Sequence, residues 1–179
     1  GRLARDEYQN HLDLYDDLAL VEASLRHNKG RHTANGLLSR LMEKVRLFGL
    51  HLAPLDVRED ARLHANALEE IFKYYGRTES YKALAEVDKQ MLLTMEIANP
   101  RPFFPMEPKF SEATNKIIAT WRMVAQAHKL YGKQVIDTYI ASMSQQPSDI
   151  LAMLLLAHEV GIADDIDIVP LFETIDDLQ

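Results

Sequence analysis

Ile166-Asp167-Ile168-Val169-Pro170-Leu171-Phe172, followed directly by Glu173-Thr174-Ile175-Asp176-Asp177, is the stretch on which the fold turns. Ile166 to Phe172 reads as a short apolar strand that delivers a carboxylate at its carboxyl end. Acidic residues at a strand-to-helix turn are where α/β folds place metal ligands and acid/base groups. The same acids would also suit the amino end of a following helix, where they meet the dipole favourably. Both readings stay open on the residues alone. The chain stops at Gln179, where the next helix is due, so it is expected to be a piece of something larger.

Upstream, a very apolar helix from Ile150 to Val160 starts at Pro147-Ser148-Asp149 and ends at Gly161. Before it, Val135 to Met143 reads as a second strand. Ser111 caps a helix reaching about Leu130, with Ile117, Trp121, Val124 and Leu130 turned inward. Prolines at 100, 102, 105 and 108 make that region a loop. Asp88 to Ile97 is helical, and Glu59 to Tyr75 is a long amphipathic helix stopped by Gly76. His51 to Val57 reads as the first strand, through Leu52, Leu55 and Val57. Ala34 to Phe48 should be a helix burying Leu37, Leu38, Leu41, Val45 and Phe48, closed by Gly49. Tyr8 to Arg26 is another, ended by Asn28-Lys29-Gly30. Met91, Met95, Met123, Met143 and Met153 fall in patterned segments and read as core.

Strands separated by helical segments imply parallel pairing, with helices on the faces. The expected class is α/β and helix-rich: a partial (β/α) barrel of about three parallel strands flanked by helices, with residues 1–179 forming one segment and a single domain. Three strands cannot close a barrel, which needs eight.

The chain has 179 residues, a net charge of −7 and no cysteine. The acidic balance argues against nucleic acid, whose phosphates need a basic face. Disulfides, thiolate nucleophiles and cysteine-based metal sites are excluded. No run is apolar for long enough to span a bilayer, so no membrane partner is expected.

Arg58, in Leu55-Asp56-Val57-Arg58-Glu59-Asp60, could grip a phosphate or carboxylate bidentately. It could equally form a surface ion pair with Glu59 or Asp60. The basic run Arg26, His27, Lys29, Arg31 and His32 reads as a solvated loop more readily than as an anion site. Asp164-Asp165-Ile166-Asp167 lacks the alternating ligands and glycine of a calcium loop. No His-Glu-x-x-His, Gly-x-Gly-x-x-Gly or phosphate-loop motif occurs.

Three blocks together resemble the phosphoenolpyruvate carboxylase family. They are Phe48-Gly49-Leu50 running into Leu55-Asp56-Val57-Arg58-Glu59, Tyr139-Ile140-Ala141-Ser142-Met143 followed by Pro147-Ser148-Asp149-Ile150-Leu151-Ala152, and Pro170 to Leu178. Ala34-Asn35-Gly36, Asp88-Lys89-Gln90 and Arg101-Pro102 fall in order among them. The resemblance implies an enzyme that joins bicarbonate to phosphoenolpyruvate, giving oxaloacetate and phosphate through carboxyphosphate and an enolate, with Mg²⁺ or Mn²⁺.

By resemblance, Glu173 matches a ligand of the divalent metal and Arg58 an arginine that contacts substrate. Glu59 stands where the family commonly has glutamine, adding negative charge beside Arg58. The family's Thr-Ala-His-Pro-Thr-Glu, Ser-Asp-Ser-Ala-Lys and Gly-Arg-Gly-Gly segments are absent from this chain. They carry the catalytic histidine, the second metal carboxylate and a lysine. No catalytic residue is therefore assigned here. The chain is expected to be inactive alone, to bind metal only with the missing carboxylate, and to self-associate. The parent is expected to be a cytoplasmic homo-oligomer, tetrameric by family. The alternatives are a non-catalytic helical interaction module and another Mg²⁺-dependent barrel enzyme acting on a phosphorylated enol or keto acid.

Overall fold

The structure, a computed structural model, describes residue 8 and residues 10–51, 53–99 and 101–174. The chain divides into two compact units, Gly1–Pro54 and Leu55–Gln179.

The first unit is helical. Helix α1 (His11–His27) starts at Asn10, whose side-chain oxygen accepts from the amides of Leu12 and Asp13 at 2.8 and 3.1 Å. This satisfies two donors that the first helical turn leaves open. The helix ends at Asn28, and the next residue, Lys29, takes a left-handed φ of 67°. A short turn α2 (Arg31–Thr33) leads through a π-helical segment (Ala34–Leu38), broken at Gly36, into α3 (Ser39–Phe48). Gly49, at φ 61°, stops α3 as expected.

The expected buried side of α3 needs correction. Val45 is buried, but the other deeply buried residue of the helix is Met42. Leu37, Leu41 and Phe48 are exposed and Leu38 is half-buried. A helix with one main neighbour buries one narrow stripe, here Met42 and Val45, and leaves the flanking apolar positions open. In the basic run, Arg26 is held by Glu22 at 2.7 Å and by the Asn35 side chain at 2.9 Å. His27, Lys29, Arg31 and His32 are exposed and solvated, but only Lys29 lies in a turn; His27 ends α1 and Arg31 and His32 lie in α2.

The second unit is α/β. A three-stranded parallel sheet runs in the order β1 (Asp56–Asp60), β2 (Thr138–Ser142), β3 (Asp167–Pro170). Helices α4 (Ala61–Tyr74), α5 (Glu86–Ile97), α6 (Glu112–Tyr131) and α7 (Pro147–Glu159) fill the connections. The parallel pairing and helix-rich α/β class thus hold. The first strand does not lie at His51 to Val57; Leu52 itself falls outside the described residues. The ladder begins only where the Leu55 amide reaches Val135 O at 2.8 Å, and β1 carries the charged residues. An edge strand with one open face tolerates such side chains, because they reach solvent or ion partners.

The two faces of the sheet are unequal. Val57, Tyr139, Ala141 and Ile168 pack into the core with the helices. Arg58, Ile140 and Val169 are register partners on the opposite face, where Arg58 and Val169 are exposed and Ile140 is half-buried. Of the five methionines read as core, only Met153 is fully buried. Met91, Met95 and Met123 are exposed and Met143 is half-buried, as Met side chains tolerate. Leu130, on the last turn of α6, is exposed as well.

Glutamates of α4 and α5 brace the starts of α6 and α7. Glu70 of α4 accepts from the Ser111 amide and from the Ser111 and Thr114 hydroxyls at 2.6–2.7 Å. Glu86 of α5 accepts from the Ser148 amide and hydroxyl at 2.9 and 2.7 Å. Partial burial pushes both carboxyls up, but these hydrogen bonds, joined at Glu86 by one from Gln90 and by the Lys89 charge, outweigh it and hold them below the usual range. The proline loop is pinned too. The Arg122 guanidinium donates to the carbonyls of Pro105 and Met106, and the Glu159 carboxylate accepts from the amides of Phe103 and Phe104.

At the centre of the core, Trp121 and Tyr139 stack with ring centroids 4.2 Å apart, and His64 meets both edge-on. His64 is fully buried. Its Nε2 lies 3.2 Å from the Trp121 indole nitrogen and 3.2 Å from the Tyr139 hydroxyl. An indole N–H only donates, so Nε2 is the acceptor and Nδ1 carries the proton. That Nδ1–H faces the Asp60 carbonyl at 3.3 Å.

Burial lowers the His64 pKa from 6.5 to about 4, against the raising pull of the Asp60 carbonyl and carboxylate. Between those values the unfolded chain takes up a proton that the fold refuses. Stability from this site is whole above pH 6.5 and is lost as pH falls towards 4. The expected loss is about 3 kcal/mol. Thermal unfolding across this window should show the slope in the wild type and a flatter one in His64→Leu. Equal slopes would rule out His64 as the source.

Candidate functional site

Residues 58 and 173 are far apart in the chain, and the sheet brings them together. β1 pairs with β2 so that Arg58 sits opposite Ile140, and β2 pairs with β3 so that Ile140 sits opposite Val169. The Leu171 amide continues the ladder to Ala141 O at 2.9 Å. Glu173 therefore emerges past the carboxyl end of β3. Its carboxylate accepts from the Arg58 guanidinium, Nη2 to Oε1, at 2.6 Å. Their side chains are 59% and 33% exposed, so both reach solvent.

The expected alternative for Arg58, an ion pair with Glu59 or Asp60, is not what forms. Successive strand residues point to opposite faces. Glu59 accordingly lines a cavity of about 260 Å³ with Leu63, Ala67, Glu70 and Ile117, on the helix side of the sheet. It is not beside Arg58, which corrects the expectation drawn from the Gln-to-Glu difference. Its charge is felt instead by Tyr139, whose phenol burial and then Glu59 push up.

Asp60 has a different partner. Its carboxylate caps α4 by accepting the Arg62 amide at 2.8 Å, and it grips the Arg62 guanidinium through Nε and Nη2. Those guanidinium hydrogen bonds hold the Asp60 carboxyl below its usual range. The Arg62 guanidinium is raised in turn, first by Asp60 and more distantly by Glu173. The turn is tied from β2 as well, where the Ser142 hydroxyl donates to Glu59 O at 3.2 Å.

The result is two guanidinium–carboxylate pairs, Arg58–Glu173 and Arg62–Asp60, at the carboxyl edge of a parallel sheet. That is the edge on which α/β folds bind ligands. Partly exposed guanidiniums suit a phosphate or carboxylate, and a partly exposed carboxylate suits a hard cation. Among the described residues, no group of three or more His, Cys, Asp and Glu gathers where it could hold a metal. Asp176 and Asp177 lie outside the described residues. The reading of the sequence did not single out Arg62, although its place on the first turn after β1 was a usable signal.

No helix among the described residues is long and apolar enough to cross a membrane. The phosphoenolpyruvate carboxylase family model matches residues 2–179. A phosphoenolpyruvate carboxylase of Roseiflexus castenholzii is 40% identical over 176 residues, covering 96% of this chain and 19% of that protein. One of a Synechococcus strain is 37% identical over 183 residues, covering 96% and 17%. One of Shewanella halifaxensis is 37% identical over 166 residues, covering 93% and 18%. The chain spans about a fifth of the length of the curated relatives it matches.

Proposed function

Since the chain belongs to the phosphoenolpyruvate carboxylase family, we propose that it supplies part of the active site of such an enzyme. The reaction proposed is the family's: phosphoenolpyruvate and bicarbonate give oxaloacetate and phosphate. The observation that carries this reading is the Arg58–Glu173 pair at the carboxyl edge of the sheet. Arg58 is the substrate-contacting guanidinium. Its planar fork meets two oxygens of a phosphorylated carboxylate at once, which orients the substrate. Glu173 is the carboxylate that holds Mg²⁺ or Mn²⁺.

Mg²⁺ takes one or two protein carboxylates and completes its shell with water and substrate oxygens. The donor set of this chain suits a site to which it gives one ligand, with further ligands from elsewhere in the protein. When bound, the metal would polarise substrate oxygens and neutralise charge that develops there. Arg62 and Asp60 flank the pair and set the local balance of charge. The open sheet face with Ile140 and Val169 is where further strands of a barrel would pack. A homo-oligomeric parent, working in the cytoplasm, is the assembly proposed.

The test is an assay of oxaloacetate formation coupled to malate dehydrogenase. The full-length protein should carboxylate phosphoenolpyruvate in a reaction that needs Mg²⁺ or Mn²⁺. The isolated 179-residue chain should give no rate above the no-enzyme control. A full-length protein without carboxylase activity would overturn the proposal. An active isolated chain would show that the missing segments are not needed.

A further inference from the structure

We infer that His64 is a positioning residue for this site, fixing the β1–α4 turn and with it the direction of Arg58 and Arg62. The inference rests on the reading of Arg58 given above. His64 touches no candidate substrate group, so its action is indirect.

The geometry is a short chain of contacts. Trp121 and Tyr139 fix one end of the imidazole, Nε2, in the core. The other end, Nδ1–H, reaches the carbonyl of Asp60, the residue that ends β1 and caps α4. The Asp60 carboxylate then holds both the amide and the guanidinium of Arg62. Arg58 stands two residues before Asp60 on the same face of the same strand. Among the described residues, the bonds that tie this turn to the body include the His64 contact and the Ser142 hydroxyl on Glu59 O, beside the strand ladder and the Arg58–Glu173 pair. A fully buried polar ring is costly unless it is hydrogen-bonded, and here each nitrogen has a partner. The ring therefore transmits a core position to a surface turn, and a displacement of about 1 Å at such a turn is enough to impair catalysis.

Three variants of the full-length protein separate this role from simple stability. His64→Asn keeps an N–H where Nδ1–H stood. His64→Gln keeps a polar atom near Nε2 but loses that donor. His64→Leu loses both. The KM for phosphoenolpyruvate should rise on the order of tenfold in His64→Gln and His64→Leu, and stay close to wild type in His64→Asn. Hydrogen exchange at the Arg62 amide gives a readout independent of activity. It should accelerate on the order of tenfold in the same two variants and not in His64→Asn.

A histidine that only stabilises the core would lower Tm in all three and leave KM unchanged, which would overturn the inference. Equal effects of Asn and Gln on both readouts would overturn it as well. If the wild type proved inactive as a carboxylase, the functional reading alone would fall. The exchange contrast would still decide whether His64 holds the turn.

Discussion

Arg58→Ala in the full-length protein is expected to lower kcat/KM for phosphoenolpyruvate by on the order of a thousandfold, and Arg58→Lys by on the order of a hundredfold. On the proposed role of Arg58, the alanine variant would remove a charge-assisted contact to the substrate; it also removes the 2.6 Å bond to the Glu173 carboxylate. The lysine variant separates charge from shape. An ammonium keeps the positive charge but is a point donor that cannot meet two oxygens in one plane. If charge alone mattered, lysine would restore most of the rate. Steady-state kinetics at saturating bicarbonate and metal measure this. Wild-type kcat/KM in either variant would remove Arg58 from the site.

Glu173→Gln is expected to raise the Mn²⁺ concentration for half-maximal activity by at least the roughly tenfold to hundredfold lost when an outer partner of a metal ligand is removed. A neutral amide is a much poorer ligand for a hard cation than a carboxylate. The substitution keeps size and shape, so the turn after β3 should survive it. It also frees the Arg58 guanidinium from its carboxylate. The KM for phosphoenolpyruvate at saturating metal should therefore change far less than the metal requirement. Titration of activity against Mn²⁺ at fixed substrate tests this, and unchanged metal dependence would refute the assignment.

The elements that were legible in the sequence share a physical cause. β2 and β3 are short apolar runs between turn signals, and β2 is buried by the helices on its inner face. α6 begins at Ser111, whose hydroxyl accepts from the Thr114 amide as an N-cap should. Gly49, Gly76 and Gly161 stop helices in left-handed conformations that other residues resist.

β1 was misplaced because apolarity pointed to Leu52 and Leu55. The actual strand holds one apolar residue, Val57, among four charged ones. Its position follows from pairing with a strand some 80 residues later, and no local pattern encodes that register. The methionines failed for a related reason. Met91, Met95 and Met123 lie on helices whose buried stripes other residues fill.

The site was half legible. Arg58 and Glu173 stood out by type and by place at strand ends, but their contact did not, because Glu59 and Asp60 were nearer in sequence. Strand alternation sends Glu59 to the helix side, and Arg62 claims Asp60, which leaves Arg58 for Glu173. The cluster of His64, Trp121 and Tyr139 was not legible. Its members come from α4, α6 and β2, and only the packed core makes one hydrogen-bonded group of them.

The central claim is that Arg58 and Glu173 form one site with divided roles, one for substrate and one for metal. Direct Mn²⁺ binding to the full-length protein, followed by electron paramagnetic resonance in wild type, Glu173→Gln and Arg58→Ala, tests it most plainly. The account predicts that Glu173→Gln loses most of its Mn²⁺ affinity. Arg58→Ala should bind Mn²⁺ at least as well as wild type, because the guanidinium would compete with the metal for the Glu173 carboxylate. Wild-type affinity in Glu173→Gln, or a loss in Arg58→Ala as large as in Glu173→Gln, would contradict it.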